Sequence, residues 1–501
     1  MKFTTLAVTG VSLIAIAAAT AASAQVSAQE VWDSWKANLG TYGSEGVTIG
    51  AETYAGGVLT VSDIVVSFAD PSATFGATIG SLVFTEQVDG TVSITMSEEV
   101  PITITAAATD ETEEMSIDLW LRQQDLEMVV GGTVDAMTYD VSATRYSVNL
   151  DNVSDGSATG SGSLVLNNLS GTYSVTLSDM QVVEYDLAAS SLDLGMNLDD
   201  PDESVVFGMK GSIADITSTA SFVLPLPENT TPDTILMDGL TGKGSYSLGE
   251  TSIAFEMTAD GNPVSGTAKA AGSALTAEVS ADSLAYSSNT SGLSVEASSP
   301  ALPFPINVSF SEYGMNFAMP LAATKEPVDF AFGINLTDLT VNEEIWAMAD
   351  PGAVLPHDPA TLILDLTGTA RLFFDLADPA QAAALADTDV PGEVHSVSLN
   401  NLTISAIGAG VRGNGAFTFD NSDITTIPGV PRPEGKLELS ATGLNGLMDN
   451  LVTMGLLPEE QVMGARMMLG LFTVPTGDDQ LTTTIEVNAE GQILANGQRL
   501  Q

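Results

Sequence analysis

Along most of the chain apolar and polar residues alternate with period two, the pattern of strands that turn one face toward a core. Val58 to Phe68, Ser72 to Phe84, Thr91 to Met96, Met115 to Val130 and Val141 to Leu150 follow it, separated by Gly, Asp, Asn and Pro. A meander of antiparallel strands is the economical account. Leu150 to Gly162 reads as a loop, and Ser163 to Val223 then resumes the alternation around the acidic turn Asp199 to Glu203. From Asn307 to Thr340 the strands are longer and richer in Phe and Met. Leu481 to Val487 and Gln492 to Leu500 predict a closing hairpin across Asn488 to Gly491.

The period changes to that of a helix in only a few places. Val31, Trp35 and Leu39, stopped by Gly40, predict a short helix that docks the amino end. Thr340 with Glu343 forms a capping box for a helix to Met348, and Asp378-Pro379 with Gln381 starts another through Leu385. The largest helical signal is the stretch 443–472. Leu444, Leu447, Met448, Leu451 and Val452 make one apolar stripe, Gly455 ends it, and Pro458, Glu459 and Glu460 open a second helix that is apolar nearly all round. The expectation is a helical hairpin buried against the sheet, around which the chain is organised. Arg466, alone among apolar neighbours there, needs an acidic partner, with Glu434, Asp420 and Asp449 as candidates.

The predicted fold class is therefore mainly β: a long curved antiparallel sheet, groove-like or open-barrel-like, with the C-terminal helical hairpin and a few short helices. Three prolines in the run Pro225 to Thr234 mark a break between an N-terminal half, 25–228, and a C-terminal half, 235–501. One small phrase recurs: Leu166 to Ser170, Leu336 to Thr340 and Leu399 to Thr403 each read Leu, two polar residues, Leu, then Ser or Thr. Such echoes arise from similar β-units or from a Ser/Thr-rich composition by chance.

Composition narrows the setting. Residues 1–24 carry Lys2, an apolar run from Leu6 to Ala19 and the small residues Ala22-Ser23-Ala24, a secretory signal with cleavage expected after Ala24 and hence a periplasmic address. No later run is long enough for a transmembrane span. There is no cysteine, so disulfides, thiol catalysis and cysteine-ligated metals are excluded. Fourteen Lys and Arg stand against 64 Asp and Glu, a formal net charge of −50, which excludes nucleic acid and anionic membrane surfaces as partners.

Candidate chemistry is sparse. Gly408 to Gly413 spells G-x-G-x-x-G, but Asn414 to Asp420 continues as an alternating strand where a nucleotide site requires a helix. His357 and His395 are the two imidazoles, and His357, among prolines and beside Asp358, reads as a solvated loop residue. Asp151 to Gly156 begins like a calcium loop and fails at Val153 and Gly162. No enzyme, cofactor or metal site is expected.

The stretches Asp350-Pro351, Pro356-His357-Asp358-Pro359 before LILDLTG, GNGAFTFD (Gly413 to Asp420), IPGVPRPEG (Ile427 to Gly435), the helical hairpin and the ending GQILANGQRL resemble an alphaproteobacterial periplasmic family known only as a domain of unknown function. The resemblance runs from about residue 300 to the end. That family is distantly similar to AsmA-like proteins, whose long β-sheets form grooves associated with lipids. The resemblance implies no catalytic residue, and a cleavable signal in place of an anchoring helix sets this chain apart from AsmA-like proteins. Two functions follow as expectations: a periplasmic carrier or scaffold that binds an apolar ligand such as a lipid in a β-groove, or a structural and interaction protein of the envelope without a ligand. For the first, Leu444, Leu447, Leu451, Met463 and Met467 are expected to line one end of the groove.

Overall fold

The computed structural model describes residues 26–41, 46–69, 73–106, 115–155, 157–226, 229–231, 233–384 and 390–500; the expected signal lies outside them. Among these residues 26 strands join one antiparallel sheet, accompanied by five helices: α1 (Ala28–Thr41), α2 (Glu343–Ala349), α3 (Pro379–Ala384), α4 (Leu444–Thr453) and α5 (Glu459–Phe472). The mainly β expectation holds. The described residues fall into two compact units. The first comprises those up to Asn229 with Gly242–Lys269 and Ala297–Pro303; the second comprises Thr230–Thr241, Ala270–Glu296 and Phe304 onward.

The first unit has a closed core beneath α1. Val31 and Trp32 are fully buried and pack with Leu59, Val61, Ile64, Phe84, Ile94 and Val130 from the facing strands. Trp32 and Trp35 meet Phe84 with ring centroids 5.8 and 5.5 Å apart. Each indole N–H finds an acceptor, Trp32 at Glu52 (2.9 Å) and Trp35 at the Tyr139 hydroxyl (3.1 Å), as buried indoles require. Beyond this core the strands lengthen: Ala136–Asp155, Ala158–Leu177, Met180–Asp200 and Val205–Pro225 pair consecutively in register.

Two boundaries differ from expectation. Met115 to Val130 is two strands, Met115–Gln124 and Glu127–Thr133, split at Asp125, whose backbone is left-handed at φ +54°. Asp tolerates that conformation better than most residues, so an unbroken alternation conceals the turn. Leu150 to Gly162 is not a loop but the tip of the hairpin joining Ala136–Asp155 to Ala158–Leu177, with a bulge between Leu150 and Val153. Its Asn, Ser and Gly residues resemble a loop because neither side of a strand tip needs an apolar side chain.

The second unit is built from Gly272–Val279, Ser283–Ser298, Ile306–Pro320, Val328–Val341, Ala360–Leu372, Gly392–Ala406, Ala409–Asp420, Arg432–Thr442 and Gln480–Val487, with short strands closing the chain. The G-x-G-x-x-G run is strand, as read. Thr340 caps no helix: it sits in Val328–Val341 and bonds Ser309 Oγ at 2.6 Å, while α2 starts after Asn342. Asp378 does cap α3, accepting from Ala380 N at 2.9 Å. The final strand is two, Ile493–Ala495 and Gln498–Arg499, folded back at Asn496-Gly497 with both φ positive, the preferred two-residue hairpin turn.

The recurrent phrase has a backbone meaning. Asn168 and Asp338 occupy the left-handed region at φ +51°, and register shifts fall between Leu336 and Leu339 and between Leu399 and Leu402. In the latter two strands a pair of polar residues opposes one residue of the neighbour, so both flanking leucines stay on one side of the sheet. Asp63, at φ +54°, changes the buried parity in the first unit with no extra residue opposite it: Leu59 and Val61 before it and Ile64 and Val66 after it are all buried.

Candidate functional site

In the second unit the strand register stacks apolar residues into rows across the sheet. One row runs Tyr313, Leu336, Leu362, Ile404 and Val411; the next runs Met315, Ile334, Leu364 and Leu402. A third contains Phe317, Phe332, Leu366, Leu399, then Leu437 and Ile485 across Gly415, and a fourth Phe330, Val397, Phe417 and Val487. Tyr286 extends the third row by stacking on Phe317 at 5.8 Å. Residues of the opposite parity are mostly polar or small, among them Asn316, Asp365, Asn401, Arg412, Lys436, Ser440 and Glu486.

This apolar face is left partly open to solvent among the described residues. Tyr313, Phe332, Leu362 and Ile404 are 45, 38, 41 and 46% exposed, and among its residues only Val487 is fully buried. From Tyr313 to Leu481 the face crosses seven strands, about 29 Å at ~4.8 Å spacing, and four rows cover about 20 Å along the strands. The rows thus span a footprint of roughly 600 Å² on the sheet, of which part is open to solvent.

Glycines flatten it. A Cβ on Gly368 would meet the Phe330 ring at 2.6 Å, and one on Gly413 would collide with Leu439 Cδ2, so these large neighbours lie across the glycines. Thr483, of the same parity as Leu437 and Ile485, donates to the Phe472 carbonyl at 2.7 Å and ties the end of α5 to this side.

The helical hairpin is not buried as expected. Within α5 only Val462 is fully buried, while Met463, Met467, Met468 and Leu471 are 71, 72, 52 and 65% exposed. Val462, Arg466, Leu469 and Thr473 form the inner stripe, so a helix apolar all round has only one packed side. Leu444, Leu447 and Leu451 are half-buried on α4, and the five residues expected to line a groove are thus divided between packed and solvent-facing positions.

Polar contacts hold the hairpin. Arg466 does find Asp449, at 2.7 Å, and also donates to Asn445 Oδ1 and the Asn445 carbonyl. Asp479 accepts from Asn445 N and Nδ2 and from Gly446 N, serving as the cap that Gly443 cannot supply to α4. Burial pushes the Asp479 carboxyl up, and these bonds outweigh it and hold it below the usual range. Among the described residues no cluster of His, Asp or Glu could hold a metal.

His357 is not a solvated loop residue. It stacks on Trp346 with centroids 4.4 Å apart and planes 7° apart, its Nδ1 lies 2.8 Å from Glu343 Oε2, and its Nε2 is buried. Buried Asp350 beside it accepts from Leu355 N at 2.7 Å. Two open concavities are polar in part. One of about 480 Å³ in the first unit includes Asp151, Asn197, Asp199 and Glu256, and one of about 630 Å³ in the second includes Asn400, Asn414, Lys436 and Glu438. None of the five expected lining residues belongs to either. The apolar face was present in the sequence as alternation from Tyr313 to Ile485, but alternation does not reveal whether a face is covered.

No helix among the described residues is long and apolar enough to cross a membrane. No curated protein matches the chain. The profile of a family described as an uncharacterised protein conserved in bacteria, DUF2125, matches residues 247–497, a span that contains all four apolar rows, and the chain belongs to that family.

Proposed function

We propose that the chain is a non-enzymatic carrier that holds the acyl chain of a lipid along the uncovered apolar face of its second unit, in the periplasm. The observation that carries this reading is the set of rows from Tyr313 to Val487, wide, contiguous and partly exposed, most of all at Tyr313, Phe332, Leu362 and Ile404. Each methylene that leaves water for such a surface contributes about 0.8 kcal/mol, so a chain of ordinary length, even half covered, offsets the cost of association. A β-face of this kind is also what an AsmA-like relationship implies. The secretory reading of residues 1–24 supports a location in the envelope, a compartment bounded by lipid membranes.

The test is native mass spectrometry of protein isolated from its own compartment, beside uptake of a fluorescent acyl ester. Retained lipid in the wild type, and its loss in Leu364→Gln/Leu402→Gln, is the expected result. Bare polypeptide together with no probe uptake overturns the reading. A second reading, an interaction protein of the envelope, is favoured by the exposed stripe of Met463, Met467, Met468 and Leu471 on α5. Under it, Met463→Ser/Met467→Ser disrupts assembly with a partner and leaves the apolar face untouched.

A further inference from the structure

We infer that the apolar face accepts lipids with a neutral or cationic polar end and discriminates against those with an anionic one, an inference that rests on the carrier reading. An anionic headgroup needs a cation to receive it, Arg by a bidentate fork or Lys as a point charge. The cations of the second unit's strands lie on the other side of the sheet by register, and Lys325 is exposed in the turn between Ile306–Pro320 and Val328–Val341. Arg371 holds Glu393 at 2.7 Å, Arg432 holds Asp420 and Asp423 at 2.9 and 3.1 Å, and Lys436 lies 3.3 Å from Glu486. The pairs Arg371–Glu393, Arg432–Asp420 and Lys436–Glu486 are formed by residues of the polar parity, on the side of the sheet opposite the apolar rows, and Asp423 lies in the connection after Ala409–Asp420. Arg412 has that parity too, in register with Thr403 and Ser440, and Arg466 is bound to Asp449 and Asn445 on the helical hairpin.

What borders the apolar rows is therefore hydroxyl and carbonyl, such as Tyr313 and Thr483, within a chain of net charge −50. A field of that sign lowers the local concentration of anions and raises that of cations, over a range set by the Debye length, ~10 Å at 0.1 M salt. A neutral headgroup is indifferent to it.

Three probes with the same pyrene-labelled chain test this at pH 7.5 on the secreted protein: the free acid, its methyl ester and the corresponding primary amine. The expected order of affinity at 20 mM salt is amine, ester, acid, with the acid at least about fivefold weaker than the ester and the gap closing below about twofold at 0.5 M NaCl. Tyr313→Lys, which sets a cation at the exposed end of one row, should bring the acid level with the ester. Acid and ester binding equally in the wild type at low salt overturns the inference while leaving the carrier reading intact. A gap that survives 0.5 M NaCl also overturns it, because a local contact rather than the field would be responsible. Failure of all three probes to bind removes the carrier reading, and this inference with it.

Discussion

A pair of phenylalanines separates an open face from a closed core. Phe84 is fully buried beneath α1, touching Trp32 and Trp35. Its replacement by Ala removes a ring and leaves a cavity that rigid neighbours cannot fill, which costs about 3–5 kcal/mol. Phe332 stands in register between Phe317 and Leu366 but is 38% exposed. Losing a ring that keeps only about three fifths of its surface from water, with solvent free to enter, costs about 1–2 kcal/mol. Urea titrations followed by far-ultraviolet circular dichroism, with Trp346 fluorescence reporting the second unit, give both values from the midpoint shift at constant slope. If Phe332→Ala costs as much as Phe84→Ala, the face is covered in solution and the argument for a ligand on it collapses.

Other substitutions probe the supports of the site. Gly368→Val should press on the Ser396 carbonyl oxygen and the Phe330 ring together, so backbone as well as ring must shift and the cost should be about 3 kcal/mol or more, visible as a lowered melting temperature and as weaker probe uptake. Asp449→Asn removes a half-exposed partner of Arg466, which keeps its two bonds to Asn445, so the loss should stay below about 1 kcal/mol; a larger loss in thermal melts means that α5 is packed more tightly than described. Met463→Ser/Met467→Ser should leave the urea midpoint unchanged, since both side chains already face solvent. The Asp350 carboxyl is held below the usual range chiefly by the Leu355 N–H, against the effect of burial, with Val354 and His357 assisting. A depressed folded pKa stabilises above the ordinary carboxylate range and ceases to do so as pH falls through the folded value, so hydrogen exchange around 350–357 should rise on acidification and lose that pH dependence in Asp350→Asn.

Much of the architecture was legible because sheet alternation needs no knowledge of partners. Coverage was not. Leu362 and Ile404 alternate with polar neighbours as faithfully as Leu59 and Val61 do, yet the first pair is exposed and the second lies under α1. The sequence of α5, apolar on every side, reads as a buried helix, because the only physical cue is composition and the number of layers around it depends on chain segments far away. Arg466 was the better guide: a lone guanidinium demands a partner nearby, and Asp449, on the preceding helix, was within reach. The length of the Ala136–Asp155 hairpin escaped notice for the opposite reason, since Asn, Ser and Gly at its tip satisfy a strand and a loop equally.

The left-handed Asp and Asn residues and the two-against-one bulges make each strand behave like a binary signal with a phase slip. At Asp63, and between Leu336 and Leu339, the side that odd-numbered positions occupy passes to even ones, or the reverse, while the signal carries the same message on both sides of the slip. A one-residue insertion or deletion, normally ruinous because it inverts every downstream position, is already absorbed at the bulge between Leu336 and Leu339. Lineages of this chain can therefore lengthen or shorten strands by single residues there without turning the apolar side outward, and length variation within the family should collect at the slips rather than only at the turns.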